Sequence, residues 1–173
     1  MHSEGHPAMK MPETDEGVIA KRSNLVGRFR KFLSEESVIN DHDELKVYET
    51  DGLTAYHQLP MIVVLPDTTA QVAKILKICT SEGVKVVPRG AGTGLSGGAL
   101  PLADGVTVGL AKFNRILDID YGNRTATVQT GVTNLAITQA VEAKGFYYAP
   151  DPSSQIACTI GGNVAEHSGG VHC

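Results

Sequence analysis

The residues best placed to do chemistry in this chain are mostly residues without side chains. Five glycines fall within nine residues in Pro88-Arg89-Gly90-Ala91-Gly92-Thr93-Gly94-Leu95-Ser96-Gly97-Gly98. Glycine inside a helix or strand is entropically costly, so such a run belongs where backbone turns sharply and comes close to a ligand. Successive N–H groups in turn conformations make a concave anion site, and the Thr93 and Ser96 hydroxyls can add donors. Arg89 would place positive charge at the entrance. The predicted guest is a phosphate or pyrophosphate held along Arg89, Gly90, Ala91, Gly92, Thr93, Gly94, Leu95 and Ser96.

Two glycine signatures with known mechanics do not fit this loop. Counting G-x-G-x-x-G from Gly90 puts Leu95 at the last glycine. Counting from Gly92 reaches Gly97, but Gly98, Pro101 and Gly105 forbid the helix that should open there. No Gly-Lys-Ser/Thr ending follows, which excludes a nucleotide triphosphatase loop. A mobile Gly/Ser linker is the competing reading. Against it, the apolar strand Val84-Lys85-Val86-Val87 runs directly into the loop.

A second cluster lies downstream. The rigid turn Pro150-Asp151-Pro152-Ser153-Ser154 precedes Thr159-Ile160-Gly161-Gly162-Asn163-Val164-Ala165 and then Gly169-Gly170. Amides and hydroxyls among glycines suit a flat heterocycle. Main-chain N–H and C=O groups reach ring nitrogens and oxygens while missing side chains permit van der Waals contact. The candidate ring contacts are Pro150, Asp151, Ser153, Ser154, Thr159, Gly161, Gly162, Asn163 and Ala165.

Elements on either side must position these loops. Residues 17–33 read as one helix, with Ile19, Leu25, Val26, Phe29, Phe32 and Leu33 inward and Lys21, Arg22, Arg28, Arg30 and Lys31 on a solvated face. Residues 34–58 are acidic and irregular and read as a surface arm. Asp41-x-Asp43 lacks the glycine and closing glutamate of a calcium loop. Met61–Leu65 is a buried strand stopped by Pro66. Thr68 with Gln71 forms a capping box for a helix carrying Val72, Ile75, Leu76 and Cys79 inward and stopping at Gly83. Val84–Val87 completes a βαβ unit whose second strand points into the glycine loop. After Gly98, the segments 106–110, 116–120 and 125–129 read as antiparallel strands. Thr133 then caps a helix with Ala136, Ile137, Ala140 and Val141 inward, ended by Gly145. The first loop would thus lie in a crease between two subdomains, a βαβ half and an antiparallel half with a helix.

Composition narrows the class. The chain has 173 residues, 42% hydrophobic and 20% charged, with a formal charge of −4. That suits a globular domain and argues against nucleic acid or an anionic membrane as partner. No signal-peptide core and no run of about eighteen apolar residues occurs, so no transmembrane segment and a cytoplasmic location are expected. Cys79, Cys158 and Cys173 form no paired C-x-x-C spacing, and His2 and His6 read as tail residues. The final Gly169-Gly170-Val171-His172-Cys173 has no terminal element after it, and the chain reads as a truncated fragment.

The two glycine segments together resemble the FAD-binding domain of the vanillyl-alcohol oxidase, or PCMH-type, flavoproteins. Their wording, Pro88 to Gly98 and Asp151-Pro152-Ser153-Ser154 with Cys158-Thr159-Ile160-Gly161-Gly162-Asn163-Val164-Ala165, is similar to the glycolate oxidase and D-lactate dehydrogenase group. The resemblance implies an α+β (α/β) PCMH-type domain over residues 45–173, incomplete, behind an N-terminal helix and arm in 1–44. It implies FAD with its pyrophosphate on Gly90 to Ser96 and its isoalloxazine near Pro150–Ser154 and Gly161–Ala165. Members with covalent FAD place a histidine where Thr93 stands, so non-covalent FAD is implied. Some members attach flavin to a cysteine, but relatives with the Cys158 wording bind without it. Where relatives read Ala-Glu-Asn-Ala-Gly-Gly, this chain has His167, either tuning the flavin or replacing an amide donor.

The implied activity is oxidation of a 2-hydroxy acid, glycolate or D-lactate, with electrons passing to another subunit or a membrane quinone. The implied location is cytoplasmic, or peripheral to the inner membrane through partner subunits. Substrate arginine, metal histidines and base belong to a cap domain beyond Cys173, so no catalytic or metal residue is assigned and the isolated chain should be inactive. Two alternatives remain: a non-catalytic FAD-binding module, and a UDP-N-acetylmuramate reductase-type enzyme on the same fold.

Overall fold

A computed structural model describes residues 11–172. His2, His6 and Cys173 lie outside the described residues. The first helix differs from its expectation. It divides into α1 (Glu16–Ile19) and α2 (Arg22–Phe29), with Asp15 capping the first through its carboxylate. Leu25 and Phe29 of α2 are fully buried, each worth about 1.5–3 kcal/mol of transfer from water. The basic residues are not simply a solvated face. Lys21 Nζ donates to the Glu82 carbonyl at 2.7 Å, Arg28 pairs with the Glu82 carboxylate at 2.5 Å, and Arg22 donates to the carbonyls of Met61 and Asn40. Charge that looked solvated ties these helices to Glu82 and to residues beside the strands.

The arm is also more structured than expected. It carries β1 (Val38–Ile39) and α3 (His42–Leu45), the latter capped by Asp41. β1 pairs antiparallel with β2 (Ile62–Val64), which matches Val38 to Val64. Then follow α4 (Thr69–Glu82), β3 (Lys85–Arg89) and β4 (Gly105–Gly109). The Thr68–Gln71 capping box forms as the sequence predicts, and Gly83 ends α4 at φ +69°. Ile75, Ile78 and Cys79 are the buried stripe of α4, whereas Leu76 is 43% exposed. Burial pushes the Cys79 thiol up to about 11, as expected for an inert core residue.

The sheet order is β1-β2-β4-β3, with β4 parallel to both its neighbours. This corrects the antiparallel reading of residues 106–110. Every residue of β4 is buried, and a strand covered on both faces shows a continuous apolar run with no alternation to reveal its partners. β4 therefore sits between the two strands of the βαβ unit. Of the three segments expected to be antiparallel, β5 (Ile116–Asp120) and β6 (Thr125–Val128) do pair so, as a separate hairpin. α5 (Asn134–Val141) follows under its Thr133 cap, burying Asn134, Ile137 and Val141, while Ala140 faces solvent. The last helix is α6 (Ile160–Glu166).

One core joins α1, α2 and α4 to the four-stranded sheet. Val18, Leu25, Phe29 and Val38 pack with Ile62, Val64, Ile75, Cys79 and Val106. Buried Asp104 ties it at the rim, bonding Lys85 Nζ at 2.7 Å and accepting from the Asp15 amide at 3.0 Å. No helix among the described residues is long and apolar enough to cross a membrane.

Candidate functional site

β3 delivers the chain to Arg89, and the glycine loop begins there without regular structure. Arg89 turns inward. Its Nη1 donates to the Thr50 carbonyl at 2.8 Å, and its guanidinium carbon lies 5.7 Å from the Tyr48 ring centre. Burial lowers the Arg89 pKa, with Asp51 and Tyr48 opposing that shift. The guanidinium stays charged regardless. It fills the space behind Gly92, whose φ is +73°: a β-carbon there would meet Cζ at 2.5 Å and Nη1 at 2.9 Å. A half-buried positive charge therefore stands directly behind the loop.

The arm braces the loop at a second point. The atoms nearest a β-carbon on Gly52 would be the carbonyl oxygens of Gly94 and Thr93, at 2.6 and 2.7 Å. These peptides are trans, so the N–H groups of Gly94 and Leu95 point to the opposite side of their planes, away from the arm. Among the described residues, no amide from Ala91 to Gly98 donates a hydrogen bond. These residues are exposed or half-buried, so the donors are open to water or to a ligand. Asp51 beside Gly52 is buried, its Oδ1 accepting from the Leu53 amide at 2.8 Å while Oδ2 has no partner.

The second glycine segment lies against the first. A β-carbon on Gly90 would meet Thr159 Oγ1 at 2.5 Å, and one on Gly94 would lie 3.0 Å from the Glu166 carboxylate carbon. The segment is helical rather than extended, and its own amides are engaged. Ile160 and Gly161 donate to the carbonyls of Val132 and Thr130 at 2.8 and 2.9 Å, and Asn163 donates to the Thr159 carbonyl at 3.0 Å. Thr159 also bridges Thr133. Gly161 has no room for a side chain, since Thr130 Cβ is 2.9 Å from the position one would take.

Asn134 at the start of α5 organises this region. Its Oδ1 accepts from the buried Asn163 Nδ2 and from Cys158 Sγ at 3.2 Å, while its Nδ2 donates to the Pro150 carbonyl at 3.0 Å. Asn163 and Cys158 thus face the interior. Pro150, Asp151 and Ser154 are half-buried, and Ser153, Gly162 and Ala165 are exposed. Asp151 closes the turn onto the following glycines. It bridges Gly170, and its carboxylate accepts from the His172 amide at 3.0 Å and contacts His172 Nδ1 at 2.5 Å. The His172 amide, then its imidazole, hold the Asp151 pKa below the usual carboxylate range. His167 sits at the end of α6 with φ +54° and is exposed.

Sequence reasoning missed Gly52, Asn134 and Thr130, and read Thr159 only as a ring contact, although all four help to align the two segments. Gly52 alone carried a signal, since Asp51-Gly52 marks a turn. A cavity of about 370 Å³ also opens between the β5–β6 hairpin and α5, lined by Ile119, Val128, Ile137, Phe146 and Ile160. It includes no residue of the first loop.

A run of free amides backed by a half-buried guanidinium, with a tight glycine wall beside it, is an arrangement that a nucleotide cofactor could use. Comparison gives that arrangement its class. A solved 4-ethylphenol oxidase from Gulosibacter chungangensis, in complex with isoeugenol, superposes with a TM-score of 0.75 over 94% of this chain and 31% of its own, at 24% identity. The glycolate oxidase subunit GlcD of Escherichia coli strain K12 is 54% identical over 152 residues, 88% of this chain and 30% of the relative. A D-lactate dehydrogenase of Anaerostipes hadrus is 33% identical over 85% of this chain and 31% of its own length. The chain thus spans less than a third of these relatives.

The FAD binding domain family matches residues 60–173, and this chain belongs to it. Its cofactor is FAD, and the loop fits the group: the free amides and the cradle that side chains would fill suit a diphosphate.

Proposed function

We propose that this chain holds FAD non-covalently for the oxidation of a 2-hydroxy acid, glycolate or D-lactate, to the 2-oxo acid. The observation that carries the FAD site is the set of undonated amides between Ala91 and Gly98, apposed to Thr159 and Glu166 of the second segment. The choice of substrate draws on the likeness to the glycolate oxidase subunits and the D-lactate dehydrogenase. Bound FAD supplies the acceptor for the hydride leaving the hydroxy-acid carbon. The chain's own residues bind and orient. The amides of Gly92 to Ser96 hold the diphosphate, with Arg89 contributing charge from behind and the Thr93 and Ser96 hydroxyls adding donors. Pro150 to Ser154, Thr159, Gly161, Gly162 and Ala165 wall the ring, and Asn163 fixes that wall through Asn134.

Residues 45–173 would form this FAD unit, with 1–44 as its helix and arm. The relatives named as oxidase subunits support an assembly with partner chains or an electron acceptor. Equilibrium binding of FAD to the folded chain, read by quenching of flavin fluorescence, tests the site. Saturable binding of one FAD per chain is expected, released intact by acid. Turnover of glycolate or D-lactate with an artificial acceptor, by the polypeptide that contains this chain and its FAD, tests the activity.

A further inference from the structure

The cradle carries a charge on each side, one held and one loose. Arg89 lies behind Gly92, and Glu166 stands over Gly94, its carboxylate carbon 3.0 Å from where a β-carbon would be, with Oε1 at 3.5 Å from the same position on Gly98. We propose that Glu166 is a charge gate on the diphosphate site: its carboxylate lies against Gly94 and Gly98 in the open cradle, and an entering diphosphate must displace it. This rests on the FAD reading above.

Glu166 is the last residue of α6, it is exposed, and among the described residues it makes no ion pair or hydrogen bond. Nothing anchors it over the loop except proximity, so it is free to swing aside. A carboxylate that stayed would face the two charges of a diphosphate across a few ångströms, repulsive in any medium and stronger where water is excluded. Because α6 also supplies ring-side residues, the gate links entry of the phosphates to the segment that walls the heterocycle. Its action is specific to charge. A ligand with the ring but no phosphate passes Glu166 without penalty.

Dissociation constants of FAD, ADP and riboflavin for the wild-type chain and for Glu166→Gln test this directly. Glu166→Gln should tighten FAD and ADP by about five- to tenfold at low salt, a gain that shrinks toward 0.5 M salt on the order expected from screening. Riboflavin affinity should not change. Binding of FAD and ADP that is unaltered or weaker in Glu166→Gln, or an equal gain for riboflavin, overturns the gate and leaves the FAD site standing. A folded wild-type chain that binds neither FAD nor ADP overturns the FAD site and the gate with it.

Discussion

The two glycine-rich segments have similar composition and opposite use of their backbone. In residues 90–98 the carbonyl side is braced, by Gly52 against Thr93 and Gly94, and the amides are left free. In residues 159–170 the amides of Ile160, Gly161 and Asn163 are consumed by neighbouring carbonyls, and a buried asparagine pair ties the segment to α5. The first is therefore a donor array and the second a shaped wall. Glycine clustering does not by itself make an anion site. In the proposed site a second element occupies the carbonyl side, which leaves the N–H groups for a ligand.

The largest effect should come from filling the donor array. Gly92→Val places a β-branched side chain at φ +73° and into the Arg89 guanidinium, a strain of about 1–3 kcal/mol before any clash with phosphate oxygens. FAD affinity should fall at least about 100-fold, measured as flavin absorbance retained per chain. Stoichiometric flavin in that variant would show that the cradle lies elsewhere. Next comes the wall. Asn134→Ala leaves Asn163 Nδ2, Cys158 Sγ and the Pro150 carbonyl without their shared partner, costing about 2 kcal/mol of stability by urea unfolding. ADP affinity should survive, because the donor array does not depend on this network. Equal loss of ADP and riboflavin binding would erase the distinction between the segments. Gly52→Ala should act in the reverse sense. Its β-carbon would press on two carbonyl oxygens at 2.6 and 2.7 Å, turning the Gly94 and Leu95 amides and weakening ADP about tenfold, with little change for riboflavin.

Much of this division was legible before the fold was. The Thr68–Gln71 box, the Gly83 stop, the Thr133 cap and the irregular loop after β3 are local chemistry, and local chemistry is written in short stretches of sequence. The position of β4 was not, because a strand buried on both faces has no alternation to announce its neighbours. The inward turn of Arg89 was equally hidden, since an arginine preceding glycines reads as a ligand contact until the Thr50 carbonyl comes within 2.8 Å. Asn134 gave no warning either. A polar residue in the first turn of a helix is ordinary, and its value here depends on Pro150, Cys158 and Asn163 arriving from far along the chain.

The smallest expected effect concerns how the wall is closed at its far end. Asp151 bridges Gly170 and accepts from His172, whose amide first and imidazole second hold the carboxyl pKa below the ordinary aspartate value of about 3.9. A depressed folded-state pKa means the tie stabilises fully above the unfolded value and is lost as pH falls through the folded one. Wild type should therefore exceed Asp151→Asn in urea midpoint by a small, constant margin between about pH 5 and 7. That margin should shrink as pH falls below the unfolded aspartate value of about 3.9 and through the lower folded one. The amide oxygen keeps an acceptor for the His172 N–H but not for the imidazole contact, so the pH dependence of the difference, not its size, reports the charge. A margin unchanged down to pH 2 would mean the turn is held by its backbone bridge to Gly170, and the wall would then owe nothing to ionised side chains.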